Sequence, residues 1–348
     1  METYIINGKF LTQRMTGVQR FAYELVSALD GLIESSDRIK LGVPLSTKNT
    51  LSLRAIPVVV IGTHQGVRWE QCDFPAYCRK QHAIPVNLCN AAPLRNPGVV
   101  CIHDVKVKRF PRYFNGKFRV WYEVMFRRIA SHARCVLTVS EFSKREIMET
   151  LRIPETRIFV IPDSWQHLAK VVPDPDVLER YHVQDKRFFF MLGSLEPNKN
   201  LSWIANEARM NSNETFLVSG NIDVHVFARD KECTFPPNVR FIGYASDEEV
   251  KGLMKHCKAL LFPSFYEGFG VPPLEALSVG APVIVSDIPV LKEIYRDAAL
   301  YIDPHRNDYR LQDLLAVPTN GAEAVLETYS WEASARKLLS VLREGIQS

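Results

Sequence analysis

No apolar run in this 348-residue sequence is long enough to cross a bilayer, which takes about 20 consecutive apolar residues. The opening METYIINGKF has neither the basic start nor the small-residue cleavage site of a secretory leader. Cysteine is scarce and unpatterned: seven residues, an odd number, with no C-x-x-C pair, which argues for reduced thiols rather than a disulfide framework. The Asn213-Glu214-Thr215 sequon carries no meaning without secretion. Internal repeats and low-complexity tracts are missing too, and the net charge is only +4. Together these absences set the expected location as the cytoplasm.

What is present is an ordinary globular composition, 46% hydrophobic and 24% charged, in a chain long enough for two domains. Short apolar runs alternate with helical periodicity. Strands are expected at Thr3–Asn7, Ile39–Val43, Val58–Ile61, Val86–Cys89, Val99–His103, Val136–Ser140 and Ile158–Ile161, with helices from Gly17 and around Lys117–Ser131 and Glu141–Leu151. Pro173, Pro175 and several charges interrupt the pattern between Asp163 and Lys186. It restarts with strands Phe188–Leu192, Thr215–Ser219 and Val239–Ile242, a helix Leu201–Met210, and a capping box at Ser246-Asp247-Glu248-Glu249. Further strands are expected near Val283 and Leu300, and an amphipathic helix from Trp331 to Gly345 closes the chain. The expected architecture is α/β: two doubly wound, Rossmann-like domains, residues 1–165 and 187–330, joined by a linker at 166–186. The final stretch, 331–348, is a helix that crosses back to the first domain. In such sheets ligands bind beyond the carboxyl ends of the strands.

The stretch Pro263–Asp287, PSFYEGFGVPPLEALSVGAPVIVSD, organises the second half. A buried strand, Ala259-Leu260-Leu261-Phe262, leads into a glycine turn, Glu267-Gly268-Phe269-Gly270, and then into a helix opening at Pro272 or Pro273, where proline is tolerated. Gly280 ends that helix and Pro282 prevents its continuation. Strand, glycine turn and helix N-terminus make a socket for an anion. Glu267 and Glu275 frame it, and carboxylates do not bind phosphate, so their partners are hydroxyls beside it. A ligand carrying both is a nucleotide-sugar.

Glu267 and Glu275, seven residues intervening, within EGFGVPPLEA resemble the signature of the retaining GT-B glycosyltransferases of family four, including bacterial mannosyl-, rhamnosyl- and glucosyltransferases of surface polysaccharide synthesis. The resemblance runs from INGKFLTQRMTGVQRFAYELVSALD through IHD and VSEFSK to GSLEPNKNL and the Glu motif, nearly the whole chain. It implies the GT-B fold, with the two domains facing a central cleft. It also implies roles: Glu267 contacts the donor sugar, Glu275 holds the ribose diol, and the amides of Gly268, Phe269, Gly270 and Val271 bind the diphosphate. Gly193-Ser194-Leu195-Glu196-Pro197-Asn198-Lys199-Asn200-Leu201 resembles the second donor loop, with Lys199 on the diphosphate and Ser194 where many relatives carry arginine. His103, followed by Asp104, resembles the histidine beside the reaction centre. Thr16-Gly17-Val18 resembles the first-domain glycine loop, which makes Gly17 a donor or acceptor contact. Tyr244 stands where pocket shape would choose the nucleotide. Ser140 in VSEFSK is explained as a helix N-cap. Asp174-Pro175-Asp176 looks like a metal-binding D-x-D but lies in a proline-broken stretch; no metal and no other cofactor are expected.

One surface stands apart. Between Asp104 and Arg134, Lys106, Lys108, Arg109, Arg112, Lys117, Arg119, Arg127, Arg128 and Arg134 face only Asp104 and Glu123, interleaved with seven aromatic residues. The patch reads as a solvated face, a nucleic-acid surface or a surface for anionic lipid. No nucleic-acid motif accompanies it, so no nucleic acid is expected as a partner. The acceptor-side reading is peripheral contact with anionic membrane at the inner face of the cytoplasmic membrane, or capture of a polyprenyl-diphosphate acceptor, by Lys106, Lys108, Arg109, Arg112, Arg127 and Arg128. The reaction the resemblance implies is transfer of a hexose-type sugar from a GDP- or UDP-sugar to a hydroxyl of a glycan or lipid-linked oligosaccharide, with retention. Two alternatives stay open: a non-catalytic nucleotide-sugar-binding subunit, and a nucleotide-sugar epimerase or hydrolase.

Overall fold

The computed structural model describes residues 2–48, 51–194, 196–220 and 234–344. Leu195 of the second loop and Gly345 of the last helix lie outside the described residues. The chain forms two compact units, residues 1–163 with 329–348, and residues 164–328.

In the first unit the strands are β1 (Thr3–Asn7), β2 (Arg38–Pro44), β3 (Val58–Ile61), β4 (Ala83–Asn87), β5 (Val99–Cys101), β6 (Cys135–Thr138) and β7 (Ile158–Val160). They lie in the order β3-β2-β1-β4-β5-β6-β7 and pair in parallel throughout. Val99, Val100, Cys101, Cys135, Val136 and Leu137 are all buried, as a parallel sheet covered on both faces requires. β4 begins three residues earlier than the apolar pattern suggests. Pro85 falls inside it, where a proline normally argues against a central strand. The sheet tolerates it because β5 pairs with β4 only from Val86 onward.

The helix Trp331–Glu344 belongs to this unit and packs along the helix Gly17–Asp30. The rings of Phe21 and Trp331 lie 6.0 Å apart. Arg343 closes the contact by donating from Nε and Nη2 to Asp37 at 2.9 and 2.7 Å. The guanidinium of Arg343 beside Asp37 holds that carboxyl below its ordinary range.

The second unit contains β8 (Phe188–Leu192), β9 (Thr215–Ser219), β10 (Val239–Gly243), β11 (Ala259–Phe262), β12 (Val283–Ser286) and β13 (Leu300–Ile302). Their order is β10-β9-β8-β11-β12-β13, again all parallel. The expected capping box is present: Ser246 Oγ accepts from Glu249 N, and Ser246 N donates to Glu249 Oε2. Both sheets are thus doubly wound, and each reverses its winding beside its first strand, at β1/β4 and at β8/β11. In open α/β sheets such a reversal is where ligands bind, beyond the carboxyl ends of the strands.

The stretch 166–186, expected as a linker, belongs to the second unit. It carries short helices Gln166–Ala169 and Val177–Arg180, both held against the helix Asp247–His256. Lys251 Nζ donates to the carbonyls of Leu168 and Val171 at 2.9 and 2.7 Å. Its prolines break helices without breaking packing, and sequence pattern registers only the former.

Candidate functional site

The residues singled out in the second half converge on the carboxyl ends of β8 and β11, the switch point of the second sheet. β11 ends at Phe262, and the glycine turn brings the chain to the helix Val271–Ser278, one residue ahead of the expected start. Gly270 is its N-cap, with φ +92°. A Cβ there would stand 2.8 Å from Leu291 Cδ2 and 3.2 Å from Phe262 Cε1, so both backbone and space demand glycine. Tyr295 donates its hydroxyl to the Gly270 carbonyl and pins the turn. The helix ends in a Schellman motif: Gly280 N–H donates to Leu277 O at 3.0 Å and Ala281 N–H to Ala276 O at 3.0 Å. Pro272 and Pro273 have no N–H, which removes two of the donors that a helix N-terminus ordinarily offers an anion. The Phe269 side chain is buried, so only its main chain can meet a ligand.

After β8 the loop resembling a second donor loop folds onto the first. Asn198 Nδ2 donates to Tyr266 O at 3.1 Å, and Phe265 N–H to Asn198 O at 2.8 Å. Asn200 adopts a left-handed conformation (φ 57°), which asparagine tolerates, and its Nδ2 donates to Pro263 O and Pro304 O. These ties carry Lys199 to Glu267: Nζ and Oε1 are 2.6 Å apart, with the side chains only 12% and 13% exposed. Lys199 Nζ also lies 4.8 Å from the centre of the Phe262 ring, a cation–π contact. Two opposite charges so withdrawn from water hold one another in place, and removing either would leave the other uncompensated.

Glu275, on the helix that follows, meets His167: Nε2 and Oε1 are 2.7 Å apart, with 5% and 13% of the side chains exposed. His167 is not among the residues the sequence points to: it falls in the stretch expected as a linker and is 108 residues from its partner. No spacing rule connects the two; the only local hint is a histidine between the apolar Trp165 and Leu168.

The other expected residues are less closely gathered. Ser194 is exposed. Tyr244, 59% exposed, follows β10 at the sheet edge. Asp174 of the D-x-D is paired with Arg180 at 2.7 Å, which accounts for it structurally. In the first unit His103 follows β5 and is buried. Its Nε2 is 2.9 Å from the Leu88 carbonyl, and burial depresses its pKa. A carbonyl only accepts, so the neutral ring carries its proton on Nε2 and its lone pair on Nδ1. Gly17 opens the helix Gly17–Asp30, and a Cβ there would meet nothing within 4 Å.

The basic patch is less basic than its sequence. Glu146 and Glu149, from the helix Glu141–Leu151, both engage Arg109 at 2.6 Å. Glu123 takes Lys108 at 2.6 Å and Arg127 at 2.9 Å. Lys106 and Arg112 rest over the rings of Phe114 and Tyr113, and Arg128 is exposed. Phe118, Tyr122 and Phe126, spaced by four on the helix Gly116–His132, extend a ladder that Phe114 begins just ahead of the helix and whose last member is buried. No helix among the described residues is long and apolar enough to cross a membrane.

Comparison with known proteins agrees with this picture. Residues 179–347 match the family described as Glycosyl transferases group 1, and residues 78–163 match Glycosyltransferase Family 4. O-antigen chain mannosyltransferase B of Escherichia coli is 31% identical over 261 residues, 67% of this chain and 67% of that protein. O-antigen chain mannosyltransferase RfbU of Salmonella typhimurium is 31% identical over 65% of this chain and 60% of its own length. Among solved structures, Anabaena HepE in complex with UDP-glucose matches with a TM-score of 0.74 at 15% identity, covering 99% of this chain and all 100% of that one. The two doubly wound units have the GT-B fold, and the chain belongs to the group 1 glycosyltransferases, enzymes that transfer sugars.

Proposed function

We propose that this enzyme moves a hexose-type sugar, with mannose the first candidate, from a nucleotide-diphosphate donor to a hydroxyl of a surface glycan or lipid-linked oligosaccharide. The anomeric configuration is retained, and the reaction needs no metal. The observation that carries this reading is the Lys199–Glu267 pair at the switch point of the second sheet, with Glu275 on the adjoining helix. The two O-antigen mannosyltransferases at 31% identity favour mannose and a polysaccharide acceptor.

The chemistry assigned to each residue follows from charge. As the bond from the anomeric carbon to the leaving oxygen breaks, negative charge grows on the diphosphate. Lys199 and the main-chain amides of residues 268–271 stabilise it. Glu267 keeps Lys199 in position before the donor arrives and orients the donor sugar. Glu275, steadied by His167, accepts from the ribose hydroxyls. His103, neutral, contacts the sugar being transferred, as does the loop at Gly17. The acceptor oxygen bonds to the anomeric carbon on the face the diphosphate leaves, and its proton passes to a departing phosphate oxygen. Peripheral contact with anionic membrane would use the exposed cations of this patch, with Arg128 foremost.

The test is a panel of GDP- and UDP-sugars offered to the purified chain with and without lipid-linked acceptors. One donor should raise the melting temperature and be transferred with retention, in EDTA as well as without it. Binding without turnover would instead indicate a non-catalytic subunit. Turnover that ignores acceptor would indicate an epimerase or hydrolase. Flotation with anionic and neutral vesicles decides the membrane contact; indifference to lipid charge ends it.

A further inference from the structure

Among the described residues, His167 is the only group bonded to the Glu275 carboxylate. A carboxylate only accepts, so His167 carries a hydrogen on Nε2 and donates it to Oε1. The helix Gln166–Ala169, which bears the histidine, is held from several directions. Lys251 Nζ donates to the carbonyls of Leu168, Ala169 and Val171, gathering the end of that helix under one ammonium. At the other end Trp165 Nε1 donates to the Leu326 carbonyl at 3.0 Å. The short helix also packs against Val271–Ser278, which carries Glu275. It is thus docked at both ends without help from His167. A buried pair of this kind adds little stability over well-packed apolar side chains, so the contact calls for a reason other than holding the helix down.

That reason lies in what stays soft in a glutamate. Its last torsion joins a tetrahedral to a trigonal carbon and has a broad minimum, so the carboxylate plane turns easily even when the stem is packed. The bond from His167 to Oε1 stops that turning. A carboxylate has about four lone-pair positions, and this bond uses one, which leaves Oε2 and the rest of Oε1 for hydroxyl donors. The acceptors are then aimed before a ligand arrives, and the side chain loses little further freedom on binding. Lys199 does not serve this purpose, because it is engaged with Glu267. An aimed carboxylate gains most from a ligand that presents two neighbouring hydroxyls, and it loses an aimed contact when one of them is missing.

We propose that His167 is a positioning residue that makes the site select ribose over 2′-deoxyribose nucleotides, by aiming Glu275 at the 2′- and 3′-hydroxyls. This role deepens the reading of Glu275 as the ribose contact and rests on it. The probes are GDP, UDP and their 2′-deoxy counterparts, titrated calorimetrically into the full chain and its variants. His167→Gln keeps an N–H at nearly the reach of Nε2, His167→Asn ends a methylene short of it, and His167→Leu has no donor. Whichever nucleotide the wild type binds should bind about tenfold more tightly than its 2′-deoxy form. His167→Leu and His167→Asn should weaken the ribonucleotide about tenfold and the deoxynucleotide about twofold at most, so that most of the preference disappears. His167→Gln should restore it. In a Glu275→Ala background, His167→Leu should change neither affinity, because the group it positions is gone. In steady-state transfer the loss should fall on the KM for the nucleotide-sugar rather than on kcat. Should His167→Leu fail to fold, the asparagine and glutamine variants carry the test between them. Equal losses of both nucleotides in the leucine and asparagine variants, no loss in either, or no recovery in His167→Gln would overturn the proposal. So would a wild type indifferent to the 2′-hydroxyl. Absence of any nucleotide binding by the wild type would sink the donor reading itself, a different result from bound nucleotide without the preference.

Discussion

The two units share a winding order and place a lysine–glutamate pair at the switch point of each sheet, yet the surroundings differ. In the second unit Lys199 and Glu267 lie beside a glycine turn and a helix start, where main-chain amides and the helix dipole favour an anion. In the first, Lys9 and Glu70 are joined by two asparagines and face aromatic side chains across a cavity. Both pairs cancel in charge, so what sets the second apart is the glycine turn and helix start beside it, whose main-chain amides suit an anion, where the first has asparagines and aromatic side chains. Fold alone would not have told them apart.

The sharpest way to break the comparison is to delete each lysine in turn. Lys199→Ala should lower kcat/KM about 10²–10³-fold, the usual loss for one transition-state donor, with the far-ultraviolet circular dichroism unchanged. Glu275→Ala should act mainly through the KM for donor. Lys9→Ala should leave the affinity for nucleoside diphosphate alone. Gly270→Ala comes next. The left-handed φ and the contact with Leu291 predict a loss of about 2–3 kcal/mol in chemical denaturation, and donor binding should weaken with it.

A smaller effect concerns pH. Burial raises the Glu207 carboxyl to about 7, helped by Asp308 and opposed by the Tyr309 amide and Asn211. The native state then holds a proton that the unfolded chain releases near pH 4.5. The associated stability is complete below that value and is lost as pH rises through about 7. Denaturation between pH 5 and 8 should show a decline on the order of 2 kcal/mol that Glu207→Gln flattens. Smallest is Arg343→Ala, which strips the partner from Asp37 in the first unit and should lower the denaturation midpoint only slightly. Because the Asp37 carboxyl is depressed by Arg343, the stability it contributes is present above the unfolded carboxylate range and lost as pH falls through the native value. Together the two variants assign opposite pH trends to the two units.

What was legible in the sequence follows the same division. The second-unit site was readable because its parts are contiguous: strand, glycine turn, proline-started helix and two acids fall within 29 positions, from Ala259 to Asp287. The loop around Lys199 was readable by its place after a strand. Strand ends were found to within a residue or two, except in β4, where Pro85 hid the start. His167 was lost because prolines nearby looked like a linker. The first-unit cluster was lost because it draws residues 7, 9, 70 and 87 from four separate elements, and none of them has a local signature. The charge of the basic patch is not legible locally, because Glu146 and Glu149, which pair with Arg109, come from the next helix, outside the stretch from Asp104 to Arg134.

The central claim is that a nucleoside diphosphate is held at the switch point of the second sheet by Lys199. Isothermal titration of GDP and of UDP into the wild type, Lys199→Ala and Lys9→Ala tests it most directly. The account predicts that one of the two nucleotides binds the wild type and Lys9→Ala equally and Lys199→Ala at least tenfold more weakly. Equal affinity for the wild type and Lys199→Ala, or weakening confined to Lys9→Ala, would contradict it.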